Sequence, residues 1–126
     1  MSAVLDSSAI LAVLWSESGS DLVLERVDGA VISAINYAEV LTKIADRGVD
    51  AKRAKALLAS LAIETVGFDK TQAETVGQLR SQTRHLDLSL GDRACIALAM
   101  TKAWPVLTAD KAWADLKLNV EVQLVR

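Results

Sequence analysis

A single cysteine, a single histidine and a single proline are spread over 126 residues, and each scarcity removes a class of chemistry. Cys95 alone excludes an intrachain disulfide and a thiolate zinc cluster; its place inside "ACIALAM" predicts a small core residue. His85 alone excludes zinc held by two or three imidazoles, and equally a nuclease built on two histidines. A Ser-His-Asp triad would have to recruit it, yet no G-x-S-x-G elbow occurs, and a loop histidine beside Arg84 reads as a surface residue. Basic charge is not in excess either: 14 Lys and Arg stand against 16 Asp and Glu, a net charge of −2. Without a global basic field, any nucleic-acid contact has to be local or carried by bound cations. No uncharged apolar run approaches the ~18 residues of a bilayer span, and no basic leader precedes the first apolar stretch, which Asp6 interrupts. The expectation is a cytoplasmic protein with no membrane contact. Repeats, low-complexity tracts and Pro/Gly-rich linkers are also missing. Residues 1–126 therefore read as one domain of a size to bury one core.

What is present is a soluble, folding composition, 52% hydrophobic and 24% charged, in which apolar runs alternate with helical periodicities. Ala3 to Leu5 reads as a short buried strand and Ser8 to Trp15 as a helix apolar nearly all round. A second helix starts at Gly19-Ser20 and ends at Asp28-Gly29. "AVIS" from Ala30 is a strand, and "AINYAEVLTKIADRG" is a helix with an expected apolar stripe of Ala38, Leu41, Ile44, Ala45 and Gly48. Asp50 to Ala62 fits a helix, "IETVGF" a strand, and Lys70 to about Arg84 a more polar helix. "LDLSLGDRACIALAMTKA" holds a loop and a nearly all-apolar helix that Pro105 separates from the strand "VLT". A short helix around Lys111 to Leu116 and the strand "VEVQLV" close the chain. Strands alternating with helices predict a three-layer α/β/α fold on a mostly parallel sheet.

In such a fold, side chains just beyond the carboxyl ends of the strands meet along one edge, where helix N-termini also point. Asp6 in "AVLDSS" and Asp110 in "PVLTAD" occupy such places, and Asp92 opens the helix of "GDRACIALAM" on the stripe of Ile96, Ala99 and Ala103. Each acid also has a plain structural reading. Asp6 and Asp110 precede helices as caps would, Ser89 to Asp92 matches a capping box, and Asp69 suits the cap of the following helix. Glu39 lies off the expected stripe with Lys43 four residues on, the ordinary solvated pair. The conjunction weighs more: carboxylates converging on one edge repel and desolvate one another unless a cation joins them. Hard oxygen donors without thiolate or several imidazoles favour Mg²⁺ or Mn²⁺.

Four blocks then fall in a known order and spacing. "VLDSSAILAVL" carries Asp6, "ISAINYAEVLTKI" Glu39, "LDLSLGDRACIALA" Asp92 and "VLTADKAWADL" Asp110. Over almost the whole chain, residues 46 to 84 being the least diagnostic, the sequence resembles the PIN-domain ribonucleases, and more narrowly the VapC-type toxins of bacterial type II toxin–antitoxin pairs. The resemblance implies a PIN-like fold and one site in which Asp6, Glu39, Asp92 and Asp110 bind one or two Mg²⁺ or Mn²⁺ ions. It also implies an endoribonuclease that hydrolyses RNA phosphodiesters by metal-activated water, leaving 5′-phosphate and 3′-hydroxyl ends. Ser7 or Ser8 and Thr108 look like the groups that hold the acids or water in place. Bound ions would reverse the local sign of the acidic pocket and draw phosphate into it.

Lys43, Arg47, Arg93 and Lys111 are candidate helpers near the acids, each more simply read as a solvated charge; so is the basic face of Lys52, Arg53 and Lys55. The resemblance further implies a homodimer restrained by a small VapB-like antitoxin whose C-terminal segment occupies an apolar groove, for which Leu14, Trp15 and "DLVLERV" are candidates. Core packing is the commoner fate of Trp15, Trp104 and Trp113. Two rivals belong to other classes: a receiver-like Mg²⁺-binding phosphoacceptor, which wants adjacent acids after its first strand where Ser7 and Ser8 stand here, and a non-catalytic binding module whose acids are only caps. The sequence leaves open which RNA is cut, how many ions bind and which antitoxin pairs with the chain.

Overall fold

A computed structural model describes residues 2–126. Five strands form one sheet: β1 (Val4–Leu5), β2 (Val31–Ser33), β3 (Glu64–Val66), β4 (Val106–Thr108) and β5 (Val122–Leu124). All pairings are parallel and the order is β3-β2-β1-β4-β5. Burial follows that order. The three inner strands are buried throughout, while the edges β3 and β5 are part-exposed, as expected when only the centre of a sheet is covered on both faces.

The period of two along the inner strands sorts their side chains between two cores. Leu5, Ile32 and Leu107 point to one face, whereas Val4, Val31 and Val106 point to the other. The first face is covered by α1 (Ser7–Leu14), α2 (Ser20–Leu24), α3 (Ala34–Asp46) and α4 (Ala51–Ala59) through Ile10, Val23, Val40, Ile44 and Leu58. The second is covered by α5 (Lys70–Gln82) and α6 (Leu90–Lys102) through Val76, Leu79, Ile96 and Leu98, with Trp113 sealed among them. This is the expected three-layer arrangement, and Cys95 lies fully buried in the second core. Among the described residues no helix is long and apolar enough to cross a membrane.

Two local readings differ from the sequence expectation. α2 stops at Leu24, well before Asp28-Gly29. Its start is fixed by Gly19, whose φ of +95° and close approach to the Val125 backbone carbonyl leave no room for a side chain. The buried face of α3 is Asn36, Val40 and Ile44, and Ala38, Ala45 and Gly48 are exposed. Alanine and glycine bring too little apolar area to set the phase of a helix, so the larger Val40 and Ile44 decide it.

The chain runs β1 to β3 in one direction across the sheet, then returns to place β4 and β5 on the other side of β1. The reversal lies between β1 and β4, and a crevice outside the carboxyl ends of strands at such a switch point is where open α/β sheets bind ligands. The order also differs from the 2-1-3-4-5 order of receiver-like folds, which removes that rival.

Candidate active site at the sheet switch point

Asp6 follows β1 directly at this switch point. Its backbone occupies the N-cap position of α1, yet its side chain makes no cap hydrogen bond. The carboxylate turns instead toward β4. Ser8 donates its hydroxyl to Asp6 Oδ2 at 2.6 Å, and Thr108 donates to the same oxygen at 2.9 Å. Each hydroxyl accepts a backbone N–H in return: Ala109 donates to Ser8 Oγ at 2.9 Å and Asp110 to Thr108 Oγ1 at 3.0 Å. Ser8 and Thr108 each have one proton, already given to Asp6, so their own 3.3 Å approach adds closeness rather than a third bond. The two hydroxyls staple the end of β1 to the end of β4 with the carboxylate between them.

Two more acids bear on Asp6. Glu39 is half-buried on α3, where its Oε1 accepts from Ser7 Oγ at 3.1 Å and from Asn36 Nδ2 at 2.8 Å. No Lys43 ion pair forms among the described residues, so the solvated-pair reading of Glu39 gives way to a held carboxylate. Asp92 opens α6 in a reciprocal capping box: Ser89 N–H donates to Asp92 Oδ2 at 3.0 Å and Asp92 N–H to Ser89 Oγ at 3.1 Å. Asp110 is exposed and caps the short 3-10 turn Lys111–Asp115 by accepting from Ala112 N–H at 3.0 Å. Asp69 likewise caps α5 through Gln72 N–H.

Electrostatics separate these acids. Burial, foremost, pushes the Asp6 carboxyl from an ordinary 3.8 to about 6; the Ser8 and Thr108 bonds pull it down, and the charges of Asp92 and Glu39 push it up again. The buried Cys95 thiol is held well above its ordinary value by burial and by the same three carboxylates, Asp6, Asp92 and Glu39. Two buried groups thus register one negative cluster, and Asp110 contributes to neither. Among the described residues no three acidic, histidine or cysteine side chains stand together as a ready-made metal-holding group. Asp6, Glu39 and Asp92 share a field, while Asp92 and Asp110 spend carboxylate oxygens on helix caps. The donor chemistry, oxygen only and net negative, fits Mg²⁺ or Mn²⁺.

The basic candidates do not turn to the acids. Arg47 stacks over the Trp15 ring, 4.1 Å from its centroid. Arg93 donates Nη1–H to the Val76 carbonyl at 3.0 Å, tying α6 to α5. Lys111, Lys52, Arg53 and Lys55 are exposed, as is His85. Lys43 lines a shallow hollow of about 400 Å³ beside Glu39, with Ile35, Ala38, Thr42 and Asp46. A larger hollow, about 510 Å³, lies between His85-Leu86 and Ala114 to Lys117 and includes none of the four acids. Trp113 is core, and Trp15 and Trp104 are half-buried beneath Arg47 and Lys102.

Asn36 and Gly91, which contact Glu39, escaped the sequence reading. The available signals were a polar residue three positions before Glu39 on the same helix face and a glycine inside a helix, where it costs stability relative to alanine.

A fold of this topology, with a buried acid at the switch point, is that of the PIN domain. The PIN-domain family model matches residues 3–118, and the chain belongs to that family. Within it, the chain is 31% identical over 114 residues to the VapC ribonuclease Mb2780c of Mycobacterium bovis and, equally, to ribonuclease VapC42 of Mycobacterium tuberculosis, covering 82% of this chain and 87% of each relative. Solved structures share the fold at lower identity. The toxin–antitoxin complex from Klebsiella pneumoniae superposes with a TM-score of 0.77 at 18% identity, over 98% of both chains. VapBC2 from Rickettsia felis, bound to a DNA fragment from its promoter, gives 0.77 at 15% identity, again over 98% of both.

Proposed function

We propose that the chain is a Mg²⁺- or Mn²⁺-dependent endoribonuclease and the toxin of a VapBC-like pair, with Asp6, Glu39, Asp92 and Asp110 as its metal-holding and catalytic set. The observation that carries this reading is the condition of Asp6. A carboxylate without a cationic partner among the described residues, pushed toward neutrality by its burial first and by two further carboxylates in smaller measure, is unfavourable in isolation and suits a divalent cation. A bound cation supplies Lewis-acid stabilisation of phosphoryl charge and lowers the pKa of water.

The chain's own part is positioning. Ser8 and Thr108 fix one oxygen of Asp6 and leave the other free. Ser7 orients Glu39 from the first turn of α1. Asp92 and Asp110 each use one oxygen as a cap and retain the second for a ligand. No protein general base is required, which accords with a site lacking histidine. Arg47 and Arg93 are engaged elsewhere, so the charge that would draw a phosphodiester to the edge would come from a cation held by Asp6, Glu39, Asp92 and Asp110.

Partners follow from the relatives. The chain is proposed to pair with a small antitoxin and to form a homodimer; Leu22 and Leu24 on α2 leave apolar surface exposed for such contacts. The test is digestion of total cellular RNA by purified protein with Mg²⁺, Mn²⁺ or EDTA, with the cut ends mapped and Asp92→Asn as control. Metal-dependent cuts bearing 5′-phosphate ends, absent in the variant, are expected. Cleavage that persists in EDTA or in the variant overturns the reading, and no cleavage at all favours a binding module whose acids are only caps. Growth arrest on expression, relieved by a short reading frame beside the gene, tests the toxin–antitoxin assignment.

A further inference from the structure

Glu39 meets two residues with no charge of their own, Asn36 and Gly91. Asn36 is fully buried on α3 and donates both amide protons: one to Glu39 Oε1 at 2.8 Å, the other to the Gly91 carbonyl of α6 at 3.0 Å. Its Oδ1 has no partner. Leaving a buried carbonyl oxygen unpaired is unfavourable, but the reversed amide would set that oxygen against two acceptors. The orientation is therefore dictated by Glu39 and Gly91. A Cβ placed on Gly91 would fall well inside van der Waals contact of all three atoms of the Glu39 carboxylate group. The glycine leaves the space that the carboxylate occupies.

We propose that Asn36 and Gly91 are positioning residues that hold the Glu39 carboxylate toward Asp6 and Asp92, Asn36 by pulling and Gly91 by making room. This rests on the reading of the acids as a cation site. The same amide joins α3 to α6, so it also sets the distance between the helices that carry Glu39 and Asp92. Neither residue touches substrate; both act through Glu39.

The two residues differ in a way that separates positioning from stability. Gly91 lies inside a helix, where alanine is the better former, and the three atoms nearest its Cβ all belong to the end of one flexible side chain. Gly91→Ala is expected to evict the carboxylate without unfolding the protein. Gly77 on α5, with open space where its Cβ would go, is the control for helix propensity alone.

The experiment titrates metal-free protein with Mn²⁺, reading free Mn²⁺ by electron paramagnetic resonance, and records the melting temperature of each variant. Gly91→Ala and Asn36→Leu are expected to weaken Mn²⁺ binding by about 10- to 100-fold. Gly91→Ala should keep or raise the melting temperature, and Gly77→Ala should leave binding unchanged. In a Glu39→Gln background neither substitution should weaken binding further. Unaltered Mn²⁺ affinity in Gly91→Ala, or losses that add in full to that of Glu39→Gln, overturns the positioning role and leaves the acid site standing. Wild-type protein that takes up no Mn²⁺ overturns the cation site itself, and the positioning role with it.

Discussion

Asp6 and Asp110 are written into the sequence in nearly the same way, each closing a short apolar strand and preceding a helical turn, yet they finish in opposite states. Asp6 is 4% exposed, makes no cap and is driven up to about 6. Asp110 is exposed and caps Ala112. The difference comes from what stands beside each. Ser8 and Thr108 reach Asp6 from two strand ends and turn its carboxylate across the sheet, whereas nothing draws Asp110 away from the free N–H groups of its own turn. One punctuation therefore yields a desolvated acid at the centre of the edge and an exposed, capping acid at its rim.

The largest effect should fall on cleavage. Asp6→Asn is expected to lower metal-dependent RNA cleavage on the order of 10³-fold and Asp110→Asn by only about 10-fold, measured as initial rates on a mapped substrate; equal losses would erase the distinction. Stability of the metal-free protein should move the other way. Between about pH 4 and 6 the folded chain keeps a proton on Asp6 that the unfolded chain has released, so this contribution is complete below pH 4 and is lost as pH rises through 6. Asp6→Asn can accept the same two hydroxyl bonds without the charge, and should stabilise the metal-free protein by up to roughly 3 kcal/mol at pH 7 and by almost nothing at pH 4. Urea unfolding across that range measures it. Next is Thr108→Val, which removes a donor from Asp6 and strands the Asp110 N–H: a loss of about 1–2 kcal/mol and a further rise of the Asp6 pKa, visible as a displaced midpoint in the same profile. The smallest effect belongs to Asp110→Ala, at most about 1 kcal/mol of stability for a lost cap, read from the same urea unfolding.

Strand order aside, most of the fold was legible, because the inner strands are apolar on both faces and the helices carry clear stop signals at Gly48 and Pro105. The buried face of α3 was not. Ala38 and Ala45 are apolar yet exposed, and Asn36 is polar yet buried; burial goes to the residue whose hydrogen bonds bridge two helices. Asp6 and Asp92 could be found as strand-end and helix-start acids. Glu39 was selected only by resemblance, since its environment is supplied by Ser7, Asn36 and Gly91 from three separate segments. The capping reading held for Asp92, Asp110 and Asp69 and failed for Asp6, a distinction that depends on a threonine about a hundred positions away.

That separation along the polymer has a consequence for biosynthesis. Thr108 and β4 are synthesised about a hundred residues after Asp6, and until they pair with β1 the Asp6 carboxylate has only its neighbour Ser8 to hold it. A polypeptide that stops before β4 therefore lacks the Thr108 hydroxyl and the Ala109 N–H that complete the surroundings of Asp6 and Ser8.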